Sequence, residues 1–99
     1  MIENIKYENS YLKQASKLIK KHSLTQEQID NTIELYKTNR NDLKLYYHSI
    51  CCKRDKHRKS ISILGTNQQY KILFAEYDTI TNFIFIGHHD RYDRLNKDC

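Results

Sequence analysis

The chain has 99 residues, 38% of them hydrophobic and 29% charged, with a formal net charge of +5. One small domain over residues 1–99 is expected, with a lean core helped by eight tyrosines, whose rings bury area while their hydroxyls stay wet. No run approaches the roughly 20 apolar residues that cross a bilayer, and residues 1–20 hold no apolar stretch of signal-peptide length. A cytoplasmic protein with no membrane partner is therefore expected, and its basic balance points to a polyanion.

In chain order, Met1 to Tyr7 has only Ile2, Ile5 and Tyr7 among polar residues, a weak strand at best. From Ser10, the expected helix cap, Tyr11, Leu12, Ala15, Leu18, Ile19 and His22 recur at helical spacing, with Lys13, Lys17, Lys20 and Lys21 off the stripe. A second helix is predicted from Thr25, which stands at capping-box spacing from Gln28. Its apolar face is Ile29, Ile33 and Tyr36, and the short join between the helices predicts an antiparallel pair.

After Asp42 the pattern changes to strands. Leu43, Leu45 and Tyr47 alternate with polar partners, and the run continues through His48, Ile50 and Cys51. The segment Lys53-Arg54-Asp55-Lys56-His57-Arg58-Lys59 holds five cations and one acid, so +4 of the chain's +5 falls in one predicted hairpin loop. Ile61 and Ile63 then alternate with Ser60, Ser62 and Leu64. Gly65-Thr66-Asn67 supplies a turn, and Tyr70 to Phe74 and Asn82 to Ile86 read as strands either side of Asp78-Thr79. This order predicts an α+β domain in which two N-terminal helices pack on one face of a mainly antiparallel four-stranded sheet.

Three cysteines, Cys51, Cys52 and Cys99, are odd in number. Neighbouring strand residues face opposite ways, so Cys51 and Cys52 are expected neither to join nor to share a metal. All three are expected as reduced thiols, one in the core and one exposed.

Candidate chemistry gathers at the end of the last strand, in Gly87-His88-His89-Asp90-Arg91-Tyr92. Adjacent histidines on a strand diverge and no third ligand stands at a standard spacing, so no metal and no cofactor are expected. Proton transfer suits this edge better, because a histidine near its unperturbed value of about 6.5 exchanges protons at neutral pH. The cationic segment is suited to phosphates, and without an aromatic inside it offers position rather than base stacking. These groups together match cleavage of RNA by its own 2′-hydroxyl, which needs a base, a cation beside the phosphorane and an acid for the leaving oxygen.

Two helices followed by Tyr70-Lys71-Ile72-Leu73-Phe74 and then Phe83-Ile84-Phe85-Ile86-Gly87-His88-His89 with Tyr92 resemble the RelE/ParE superfamily of toxin-antitoxin toxins, over about residues 10–95. The resemblance implies a small basic mRNA endoribonuclease, metal-independent and ribosome-dependent, held by an acidic antitoxin in a hetero-oligomer. By position it implies Lys71, His88, His89 and Tyr92 as catalytic residues, and His48, Arg58 and Lys59 as contacts to RNA; the charge of the cationic segment adds Lys53, Arg54 and His57 as contacts to messenger or ribosomal RNA. Lys71 stands where the family usually has arginine, so bidentate phosphate binding is lost. The alternatives are a ParE-like inhibitor of DNA gyrase, or a catalytically degenerate member that binds only RNA or its antitoxin.

Overall fold

The computed structural model describes residues 4–97. The elements run β1 (Asn4–Tyr7), α1 (Asn9–Lys20), α2 (Gln26–Asn39), a 3-10 turn (Leu43–Leu45), β2 (His48–Ser49), β3 (Arg58–Ser62), β4 (Tyr70–Glu76), β5 (Ile80–His88) and α3 (His89–Lys97). The strands form one five-stranded sheet in the order β1-β5-β4-β3-β2. β1 is parallel to β5 and the remaining pairs are antiparallel. The α+β class holds, but the expected two helices and four strands become three and five among the described residues.

The first helix begins two residues earlier than expected, behind Glu8, so Ser10 lies inside α1 rather than capping it. Its hydroxyl instead donates to the Ile84 carbonyl at 2.7 Å. Ile84 is the extra residue of a bulge, since Leu73 pairs with Phe85 while Phe74 pairs with Phe83. The second helix has the predicted start. Thr25 accepts from the Gln28 amide at 3.1 Å and its own amide donates to Gln28 Oε1 at 3.0 Å.

Leu43 to Leu45 is a 3-10 turn and not a strand. Asp42 accepts from the Lys44 amide at 2.9 Å, and Tyr46 takes a left-handed φ of 51°, which ends any extended run before His48. The strand that remains is two residues long.

The bulge decides what each face of the sheet carries. On one face Ile61, Ile72, Phe74, Phe83 and Ile86 pack with Tyr11 of α1 and with Ile29 and Tyr36 of α2. On the other, Leu73, Phe85 and Tyr92 form a smaller cluster with Ile50 and Ile84. Because the bulge adds a residue to β5, both Ile84 and Phe85 reach this second cluster. The third helix therefore packs on the face opposite the first two.

Glu76 fastens α2 to the sheet. Its Oε2 accepts from the Tyr36 hydroxyl at 2.5 Å, and its Oε1 accepts from Tyr47 at 2.5 Å and from Arg40 at 2.9 Å. Tyr36 also lies 3.0 Å from the Thr81 hydroxyl. Burial first, then the bond to Glu76, pushes Tyr47 up to about 12, and the same causes raise Tyr36 further.

Cys52 is buried and disulfide-bonded, whereas Cys51 is exposed and free. The two do not join each other, as expected. The reading of three reduced thiols is corrected at Cys52, whose sulfur is oxidised to a disulfide. Cys99 lies outside the described residues.

Candidate functional site

Opposed residues in antiparallel strands share a face, so strand register places the expected site residues. His48 is paired with Ser60, Ser60 with Leu73, and Leu73 with Phe85. The adjacent row is Ser62, Lys71 and Gly87. His48, Ser60, Ser62 and Lys71 thus occupy the face on which α3 packs. Arg58, two residues from Ser60 along β3, shares it. Gly87 belongs to the same arrangement: a Cβ there would lie 2.5 Å from Phe85 Cζ, so the ring occupies the space a side chain would need.

Lys71 is half-buried, its ammonium 3.3 Å from the Ser62 hydroxyl and 5.8 Å from the centre of the Tyr92 ring. Desolvation lowers its pKa, and the nearby Asp93 carboxylate partly opposes that shift. Tyr92 itself is 5% exposed and packs against Leu73 and Phe85. That setting suits a group that positions Lys71 more than one that exchanges protons with solvent.

His88 is paired with Tyr70, and the two rings meet edge-on at 5.3 Å. This row follows the parity of Ile72 and Ile86, the face of α1 and α2. Lys71 and His88 therefore start from opposite faces, and the expected four-residue cluster divides into two pairs. Lys71 lies with Tyr92, and His88 lies with His89.

The histidine pair departs from the divergence expected of strand neighbours. His88 ends β5 and His89 opens α3, with the His89 amide donating to the Gln69 carbonyl at 2.8 Å. The change from strand to helix brings the rings to 4.2 Å, inclined at 34°. Asp90 faces both, its Oδ1 3.1 Å from His89 Nδ1 and its Oδ2 3.6 Å from His88 Nδ1. Asp90 had no distinguishing signal in the sequence, where it reads as a surface acid.

The cationic segment is less of a loop than expected. Lys53, Arg54, Lys56 and His57 are exposed in the β2–β3 connection, but Arg58 and Lys59 are the first residues of β3. Asp55 fixes its end, accepting from the His57 amide at 2.9 Å and standing 3.6 Å from Arg58 Nε. His57 lies against the Tyr77 ring at 4.6 Å, and Lys59 donates to Ser49 at 2.7 Å. Lys53, Arg54 and Lys56 are left extending into solvent.

His48 is exposed on the edge strand, its Nδ1 2.7 Å from the Tyr46 carbonyl. A carbonyl can only accept, so this contact makes Nδ1 the donor and leaves the Nε2 lone pair able to take a proton. The left-handed Tyr46 that aims the carbonyl was not visible in a Leu-Lys-Leu-Tyr pattern that alternates like a strand.

No protein-family model matches the sequence, and no curated protein does. Solved structures do. A chain of the E. coli DinJ-YafQ toxin-antitoxin complex superposes with a TM-score of 0.73 at 16% identity, covering 92% of this chain and 97% of that one. YafQ from E. coli strain BL21(DE3) gives 0.70 at 15%, covering 91% and 97%. A copper-bound mutant toxin from Helicobacter pylori gives 0.72 at 16%, covering 92% and 98%. The chain shares the fold of these toxin structures. Among the described residues no helix is long and apolar enough to cross a membrane.

Proposed function

We propose that this chain is the toxin of a toxin-antitoxin pair and a metal-independent, ribosome-dependent mRNA endoribonuclease of the cytoplasm. The observation that carries the reading is the desolvated ammonium of Lys71, on one sheet face with His48 and Arg58 and beside a histidine-bearing strand end. A partly buried cation is a stronger stabiliser of a dianionic phosphorane than a fully solvated one.

In this mechanism a histidine takes the proton of the 2′-hydroxyl, the 2′-oxygen attacks phosphorus and the bond to the 5′-oxygen breaks. A second group returns a proton to that oxygen, leaving a 2′,3′-cyclic phosphate and a 5′-hydroxyl. His89 or His88 supplies acid or base, and His89 is favoured because it opens the helix that packs on the Lys71 face. Lys71 and Arg58 stabilise the phosphorane, and Tyr92 holds Lys71 in place. Residues 53–59, with His48, grip messenger or ribosomal RNA backbone. An acidic antitoxin would cover this basic surface, a reading supported by the toxin-antitoxin complex that shares the fold.

Primer extension on translated messenger tests the proposal with His88→Ala, His89→Ala and Tyr92→Phe. Loss of cutting in at least one histidine variant is expected, and unaltered cutting in all three removes the site. Inhibition of purified gyrase with no RNA cut would establish the gyrase alternative instead.

A further inference from the structure

His88, His89 and Asp90 converge where the sequence pattern said they should part, and no step of RNA cleavage needs a carboxylate between two imidazoles. One donor atom from each lies within 4.8 Å of the others. An ion with bonds of about 2.0–2.1 Å to nitrogen and oxygen holds neighbouring donors about 2.9 Å apart in the square-planar geometry of Cu²⁺ and about 3.3 Å apart in a tetrahedral one. Asp90 Oδ1 lies 3.1 Å from His89 Nδ1 and Oδ2 lies 3.6 Å from His88 Nδ1, so each ring already has one carboxylate oxygen near that spacing.

The surroundings orient the donors. The Asp90 amide donates to His88 Nδ1 at 3.3 Å, a long contact that marks Nδ1 as the nitrogen with the lone pair and that a bound ion would displace. Tyr70 meets the His88 ring edge-on, and the Gln69 carbonyl anchors the His89 backbone. Such supporting contacts hold ligands in place. The side chains of His88, His89 and Asp90 are 39%, 43% and 71% exposed, so an ion can reach them and leave again.

We propose that His88, His89 and Asp90 form an exchangeable site for a borderline divalent transition ion, Cu²⁺ ahead of Zn²⁺, and that the bound ion silences RNA cleavage. Two imidazoles and one carboxylate select this class over Mg²⁺ or Ca²⁺, which take oxygen ligands, and copper binds such donors most tightly. The silencing half rests on the proposed ribonuclease reading. An imidazole nitrogen bound to a metal has no lone pair with which to move a proton.

The test uses chelator-stripped protein carrying Cys51→Ser, which removes the exposed free thiol as a competing ligand. CuCl₂ and ZnCl₂ are titrated by calorimetry, and the copper form is read by electron paramagnetic resonance. One ion per chain with imidazole nitrogen coupling is expected. Asp90→Asn, and His88→Gln with His89→Gln, should each weaken binding at least about tenfold, and the double variant should lose the coupling. Binding unchanged by these substitutions overturns the site. Where RNA is cut, stoichiometric copper should suppress cutting and EDTA should restore it; cutting that ignores the ion, or requires it, overturns the silencing. A protein that cuts no RNA with or without EDTA defeats the ribonuclease reading, while the titration and the resonance spectrum still decide the metal site.

Discussion

Two places in the molecule set a carboxylate between two aromatic rings that can carry protons, and they behave as opposites. At Glu76 the rings are Tyr36 and Tyr47, the side chain is 10% exposed, and Arg40 completes the set. At Asp90 the rings are His88 and His89, and the carboxylate is 71% exposed. In the first, burial drives the tyrosines toward their neutral form, so their protons are fixed and the bonds serve as a fastening. In the second, two imidazoles stand in reach of solvent and ligand, with 39% and 43% of their side chains exposed. The same motif is a strut when buried and an open, solvent-facing edge when exposed.

The sharpest way to break this contrast is to empty each place in turn. Replacing His88 and His89 together with alanine should lower RNA cleavage by about 10²–10⁴-fold. Stability should move by no more than about 0.5 kcal/mol, because both rings are surface-accessible. A loss of folding in urea would make the histidine edge structural and erase the difference. Glu76→Ala should do the reverse, costing about 3 kcal/mol in urea unfolding by leaving Tyr47 and Arg40 without their acceptor and Tyr36 with only Thr81.

Alkaline melting sharpens the buried half. An unfolded tyrosine ionises near pH 10, while Tyr47 holds its proton to about 12 and Tyr11 and Tyr36 hold theirs longer. Between those values the unfolded chain has released protons that the folded one keeps. Stability is therefore full below about pH 10 and falls as pH rises above it. Tm followed between pH 8 and 12 should decline from about 10 upward, and Tyr47→Phe should flatten the decline. The smallest effect is expected at Thr25→Ala, about 1 kcal/mol in urea through loss of the cap, with cleavage unchanged.

What the sequence made legible follows the same division between local and non-local causes. The start of α2 was readable because a capping box needs only Thr25, Gln28 and the chain between them. The runs of β4 and β5 were readable because Ile72, Phe74, Phe83 and Ile86 are buried. β1 was faint because it is an edge strand, four residues long and mostly exposed, whose parallel pairing with β5 is long-range. Leu43 to Leu45 imitated strand alternation, but the Asp42 side chain and the left-handed Tyr46 close it into a turn.

The third helix went unread because it has little apolar pattern: His89 to Arg94 offers one large apolar side chain, Tyr92. That omission propagated to the site. Without a helix beginning at His89 the two histidines had to diverge, and Asp90 had no reason to matter. The division of Lys71 from His88 was likewise set by strand parity, which depends on where β5 ends.

Metal-independent cleavage by an RNA 2′-hydroxyl leaves its mark in the ends of the product. With purified protein, ribosomes and translated messenger, after the protein alone has been treated with EDTA, fragments ending in a 2′,3′-cyclic phosphate and beginning with a 5′-hydroxyl are expected. Fragments beginning with a 5′-phosphate, or cleavage that appears only when a divalent transition metal is returned to the protein, would contradict it.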